Sequence, residues 1–169
     1  MTTTWVWARR ACSGRPLALA GRSSATTLLA RSAMRYVAQA GLCDATGVDA
    51  DWRDGEGYLE AIESAVARSG PVDLGVVWLH AEASAILPGL FSLLGGGGCR
   101  VIHVLGSSRP AAGRRLAAQH TGLVYHTVTL GSVQEGGSRR WLTHDEIVAG
   151  VLACERDASD IVVGELGSV

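Results

Sequence analysis

Five short polar groups in this 169-residue chain close runs of apolar, β-branched residues, and they have the chemistry to meet a small molecule: Arg31-Ser32, Asp51-Trp52, His80, Gly106-Ser107-Ser108 and Gly131-Ser132-Val133. A guanidinium beside a hydroxyl suits a phosphate monoester, because the planar fork gives charge-assisted hydrogen bonds and the hydroxyl adds one more. An imidazole within reach of a hydroxyl is the minimum for general acid/base work; His80 ends one run, and Ser107 and Ser108 end the next. A glycine followed by two hydroxyls, between a buried strand and a helix, aims backbone N–H groups and side-chain oxygens past the strand end. Each group also has a structural reading. Ser32 can start a helix beside a solvated Arg31, the Gly106 turn can be a polar loop, and His80 can be a strand-end histidine.

The elements that would position these groups are legible in the apolar pattern. Runs rich in β-branched residues at Thr26–Ala30, Thr46–Ala50, Val72–Leu79, Cys99–Leu105, Leu123–Leu130 and Ile161–Val163 read as strands, with helical segments between them. Glu56–Arg68 places Leu59, Ile62, Ala65 and Val66 on one helical face, and Ala111–His120 is a weaker helix. Asp73–Leu79 and Val101–Leu105 are almost continuously apolar, as strands buried on both faces must be, so the sheet is expected to be parallel. Thr143-His144-Asp145-Glu146 has the form of a capping box and is followed by Ile147, Val148, Val151 and Leu152 at helical spacing. The result is an α/β, three-layer, Rossmann-like fold with a mostly parallel sheet. Ligands of such sheets sit beyond the carboxyl ends of the strands, where all five groups fall. The four glycines Gly95–Gly98 precede a strand and so read as a helix stop and turn, not a phosphate cradle; His103 and His126 read as strand residues with satisfied nitrogens, and His144 as a first-turn helix residue.

Composition removes whole mechanisms. All 15 basic residues are Arg, with neither Lys nor Asn in the chain, which excludes a Walker-A loop, a Schiff-base enzyme and any Tyr/Lys pair. Cys12, Cys43, Cys99 and Cys154 are too scattered for a zinc or thioredoxin motif, so no metal is expected and a reducing cytoplasm is the fitting compartment. A net charge of −1 gives no electrostatic basis for nucleic-acid binding, and no run reaches the length of a membrane span. The chain reads as a single domain over residues 1–169 with an atypical segment at 1–24. The acid-free, Arg-rich head has the composition of a transit peptide, but Pro16 and Gly21 interrupt any amphipathic helix there.

Leu28–Ser32, Val48–Trp52, Pro71–His80, His103–Ser108 and Ser138–Glu146 together resemble the short-chain dehydrogenase/reductases, in particular small divergent Rossmann members of that superfamily, over about residues 25 to 165. The resemblance implies NADP as cofactor, or NAD, with Arg31 and Ser32 at the adenosine ribose or its phosphate, Asp51 and Trp52 near adenine, Gly106 at the cofactor, and Ser107 or Ser108 near the catalytic serine; His80 is read as their partner from its place at the end of the preceding strand, since consecutive strands are usually neighbours. It implies a small-molecule substrate, with room for a second copy of the chain to complete the pocket. The chain departs from the pattern twice. The usual Tyr-x-x-x-Lys is impossible, Tyr125 being followed by His126-Thr-Val-Thr129 in a strand. The first strand and its glycine turn are not legible either: Trp5–Gly14 stands there without the glycines. Back-translated one base earlier, codons compatible with residues 6 to 13 read Val/Leu-Gly-x-x-Gly-Met-Leu, so residues 1 to about 20 are expected to be a shifted-frame reading of such a turn. The competing functions are therefore an NADPH-dependent oxidoreductase and a non-catalytic Rossmann binding module; a methyltransferase-like nucleotide binder has no motif to support it.

Overall fold

The computed structural model describes residues 3–7, 25–79, 81–107 and 111–167. Nine strands are present among them: β1 (Thr3–Trp7), β2 (Ala25–Ala30), β3 (Ala45–Asp49), β4 (Leu74–Val77), β5 (Arg100–Gly106), β6 (Val124–Leu130), β7 (Ser132–Glu135), β8 (Ser138–Trp141) and β9 (Ile161–Val163). Five α-helices lie between them: α1 (Ala33–Gln39), α2 (Gly55–Ser69), α3 (Leu87–Gly95), α4 (Ala111–Ala117) and α5 (His144–Asp157). Seven strands form one sheet in the order β3-β2-β1-β4-β5-β6-β9, with every pairing parallel. The strand order reverses between β1 and β4, which opens a crevice at the carboxyl edge.

Alternate residues of each strand enter two separate cores. Leu29, Val77 and Val101 point to one face and pack with Ile62, Leu90, Phe91 and Leu94 of α2 and α3. Their neighbours Leu28, Val76 and Ile102 point to the other and pack with Ala33 of α1 and Ile147, Val151 and Cys154 of α5. Burial on both faces explains the uninterrupted apolar runs. The expected strands are all present within a few residues, as are the α2 and α4 helices. The first strand, which the sequence pattern did not reveal, is also there: Thr3–Trp7 pairs with Ala25–Leu29 on one side and, from Thr4, with Leu74–Val77 on the other. Its β-branched and aromatic residues favour a strand, and the backbone ladder asks nothing more specific of them.

Helix ends follow local chemistry. Asp54 caps α2 by accepting from Gly57 N at 3.1 Å, and the expected capping box starts α5, with Thr143 Oγ1 accepting from Glu146 N at 3.3 Å and Thr143 N donating back to Glu146 Oε2 at 2.7 Å. After α3, Gly96–Gly98 form the turn into β5, with Gly98 at a φ of 76°. Gly47 in β3 serves a different purpose. A Cβ there would lie 2.6 Å from the Cα and N of Met34, so its absence lets α1 lie against the strand.

Gly47→Ala is therefore expected to force α1 off the sheet and to destabilise the fold by about 1–3 kcal/mol, the usual range for overpacking. Gly96→Ala, at a φ of −74° with nothing within 4 Å, is expected to be neutral or slightly stabilising. Urea unfolding followed by circular dichroism compares the two; equal midpoints would refute this role for Gly47.

Candidate functional site

The carboxyl edge gathers residues from four elements. Arg31 and Ser32 form the turn from β2 into α1, and both are exposed. Ser32 occupies the N-cap position but makes no capping bond; the Met34 N–H goes instead to Asp49 Oδ1 of β3 at 2.9 Å. This leaves the Ser32 hydroxyl without a partner among the described residues. Arg31 makes no ion pair among the described residues, although its charge helps to hold the Asp51 carboxyl in its ionised form. That pairing of a free guanidinium with a free hydroxyl is a donor set for a phosphate group.

Asp51 and Trp52 are less available than their spacing suggested. Asp51 is held by its own neighbour: Arg53 donates its Nε to both carboxylate oxygens at 3.0 Å and its backbone N at 3.1 Å, and its Nη2 also bonds the carboxylate. The Arg53 hydrogen bonds, aided by the fields of Arg53 and Arg31, bring the Asp51 carboxyl down to about 2. Trp52 packs against the core under α2 and α3. Gly106 ends β5 and Ser107 follows in a turn, both exposed at the carboxyl edge, and a Cβ on Gly106 would meet nothing within 4 Å. Ser108 and His80 lie outside the described residues.

The fifth group leads into a separate two-stranded sheet. Ser132 begins β7, which turns through Gly136 and Gly137 into β8 as an antiparallel hairpin. Ser132 also exchanges backbone hydrogen bonds with Glu165 at 2.7 and 3.0 Å, and Gly131 gives that crossing its clearance. Both turn glycines have positive φ, 59° and 79°, the signature of a two-residue type I′ hairpin, and the Gly-Gly pair was the signal for it. Arg140 on β8 bonds Glu146 at 2.9 Å through both Nη atoms and also reaches Glu135, tying the hairpin to the start of α5. The Arg140 bonds, with those of Thr143, hold Glu146 down at about 2.

The histidines divide. His103 is buried, with Nδ1 2.8 Å from the hydroxyl of Tyr125, and burial pulls its titration down to about 4. Tyr125 is the second residue of β6, at the amino end of its strand, packed edge-on against Phe91 and covered by Gly113 of α4; burial pushes its phenol up. It therefore lies within the helix-covered core and away from the crevice. His126 corrects the expectation of satisfied nitrogens, because its Nε2 is buried with no hydrogen-bond partner among the described residues. Among the described residues no group of His, Cys, Asp and Glu is arranged to hold a metal, and no helix is long and apolar enough to cross a membrane. Cys43, Cys99 and Cys154 are free thiols.

Seven parallel strands in this order, with helices on both faces, define a Rossmann-type α/β protein. Its fold is that of the short-chain dehydrogenase/reductases. The chain superposes on the alcohol dehydrogenase from Thermococcus sibiricus complexed with 5-hydroxy-NADP at 17% identity and a TM-score of 0.63, covering 98% of this chain and 96% of that one. A mutant short-chain dehydrogenase/reductase from Serratia marcescens matches at 14% identity and 0.67, covering 96% of each chain. The 3-ketoacyl-(acyl-carrier-protein) reductase from Brucella melitensis complexed with NADH matches at 14% and 0.61, again over 96% of each. No protein-family model and no curated protein matches the sequence.

Buried His103 and two paired carboxylates set two acid windows. His103 titrates at about 4 in the fold, below its ordinary value of 6.5, so the unfolded chain takes up a proton that the native state refuses. Stability is then complete above pH 6.5 and falls as the pH drops towards 4, by an amount on the order of 3 kcal/mol. Glu146 and Asp51, depressed to about 2 from 4.5 and 3.8, stabilise above those ordinary values and lose that contribution only as the pH falls on towards 2. Urea midpoints between pH 7 and 4 are expected to flatten in His103→Gln; an unchanged slope would reject the assignment.

Proposed function

We propose that the chain binds a nicotinamide dinucleotide across the carboxyl edge of its sheet and prefers the 2′-phosphorylated form. The observation that carries this is the Arg31 guanidinium beside the Ser32 hydroxyl at the end of β2, neither of them bonded to another side chain among the described residues, in a sheet that reverses between β1 and β4. Among the described residues no acidic side chain takes that place: Asp49 is occupied by Met34 N and Asp51 by Arg53. An acid there would favour an unmodified ribose diol, whereas Arg with a hydroxyl favours a phosphate. Gly106 and Ser107 would line the same crevice nearer its middle. Two of the solved neighbours, complexed with 5-hydroxy-NADP and with NADH, support the cofactor class.

In this reading the activity is that of an oxidoreductase, and a bound dinucleotide supplies the hydride. The proton for a reduced carbonyl falls to Ser107, Ser108 and His80, whose sequence positions follow β5 and β4. The alternative, a binding module without catalysis, is favoured by one observation: the Tyr125 hydroxyl is bonded to His103 under α4, and there is no lysine to accompany it.

NADPH is expected to raise the melting temperature, equivalent to about 2.7 kcal/mol at a hundredfold its dissociation constant. Arg31→Ala should weaken NADPH binding at least tenfold and leave NADH binding unchanged; an equal loss for both would remove the 2′-phosphate assignment. With binding established, NADPH turnover over a panel of small carbonyl compounds that vanishes in His80→Ala at unchanged affinity supports the enzyme, and binding with no turnover supports the module.

A further inference from the structure

The β7–β8 hairpin has two unlike faces. Its register pairs Val133 with Arg140, and Ser132 with Trp141 and Gln134 with Arg139, so side chains alternate between faces along each strand. Val133 packs with the α5 core and Arg140 is bound to Glu146 and Glu135. The opposite face carries Arg139 and Trp141. Trp141 is 58% exposed, among the most open large apolar side chains of the described residues. Arg139 lies over the Gly167 backbone, where a Cβ would be 2.9 Å from its Nη1, and no carboxylate pairs with it among the described residues, although Glu165 is joined to Ser132 on the same side. Residues two apart on a strand stand about 7 Å from one another. A cation and a flat indole at that separation match a small anion with a flat apolar body: the fork takes a carboxylate and the indole takes the ring or acyl plane.

β7 starts two residues after β6 ends, so the hairpin rises from the carboxyl edge where ligands of parallel sheets lie. We propose that Arg139 and Trp141 select a carboxylate-bearing aryl or acyl compound as the substrate class of the site; this rests on the dinucleotide reading for its chemistry but not for its binding. Isothermal titration of the full chain with benzoylformate, and with its neutral methyl ester, tests it. Benzoylformate should bind and the ester should not. Arg139→Ala and Trp141→Ala should each weaken binding at least tenfold, with Arg35→Ala, an exposed arginine on α1, unchanged. Equal binding of acid and ester, no binding of either, or indifference to both substitutions overturns the proposal, as does sedimentation showing Trp141-dependent self-association of the free chain. NADPH protection measured on the same samples separates the two readings: benzoylformate binding without NADPH protection upholds the hairpin surface and removes the dinucleotide, and the reverse removes the hairpin surface alone.

Discussion

A parallel sheet must be covered on both faces, and nearly everything else in this molecule follows from that constraint. From β2 onward each crossover among the described residues returns the chain to the amino edge through a helix, and with every pairing parallel all seven strands deliver their carboxyl ends to the same side of the sheet. The two apolar clusters, one under α2, α3 and α4 and the other under α1 and α5, are the two coverings. Polar groups have few places to go other than the rims. The residues able to do chemistry are therefore concentrated at one edge by packing alone, before any ligand is considered.

The same constraint explains what the sequence revealed and what it hid. Doubly buried strands such as Val101–Leu105 are unmistakable because no position can be polar without a partner; His103, the exception, has one in Tyr125. The α5 start was legible because a capping box is chemistry local to four residues. Arg31, Ser32, Gly106 and Ser107 could be placed because they follow such strands directly. β1 was hidden because a strand paired on both sides is held by backbone, and Thr3–Trp7 shows no alternation to announce it. The hairpin was hidden for another reason. Its register depends on two positive-φ glycines, and its Ser132–Glu165 link joins residues far apart in sequence, which a reading of adjacent residues misses. The pairing of Asp51 with Arg53 was visible as an i, i+2 pair of opposite charges, but only the loop geometry turns both side chains together.

Arginine's behaviour shows how one residue type divides its labour when lysine is absent. Arg53, Arg114, Arg140 and Arg156 are paired with Asp51, Asp160, Glu135 with Glu146, and Asp157. These are exposed pairs of modest energetic worth, but the bidentate fork fixes orientation as a lysine could not. Arg140 is the most consequential of them, since it binds the hairpin and the capping carboxylate of α5 at once. Arg31 and Arg139 stand outside this pattern. They follow β2 and lie on the hairpin after β6, and neither has a carboxylate partner among the described residues.

The position of Tyr125 then decides where chemistry is open to this chain. A phenol serves as a proton donor to a substrate only where the substrate can approach it, and this one is at the amino end of β6, bonded to His103 and roofed by Gly113. Bringing it to the crevice would require sliding β6 along its strand axis, breaking the register with β5 and with β9 and exposing Val128 and Leu130. The core forbids that. The His103–Tyr125 pair, joined across β5 and β6 beneath α4, therefore belongs to the packing of the sheet and not to its carboxyl edge.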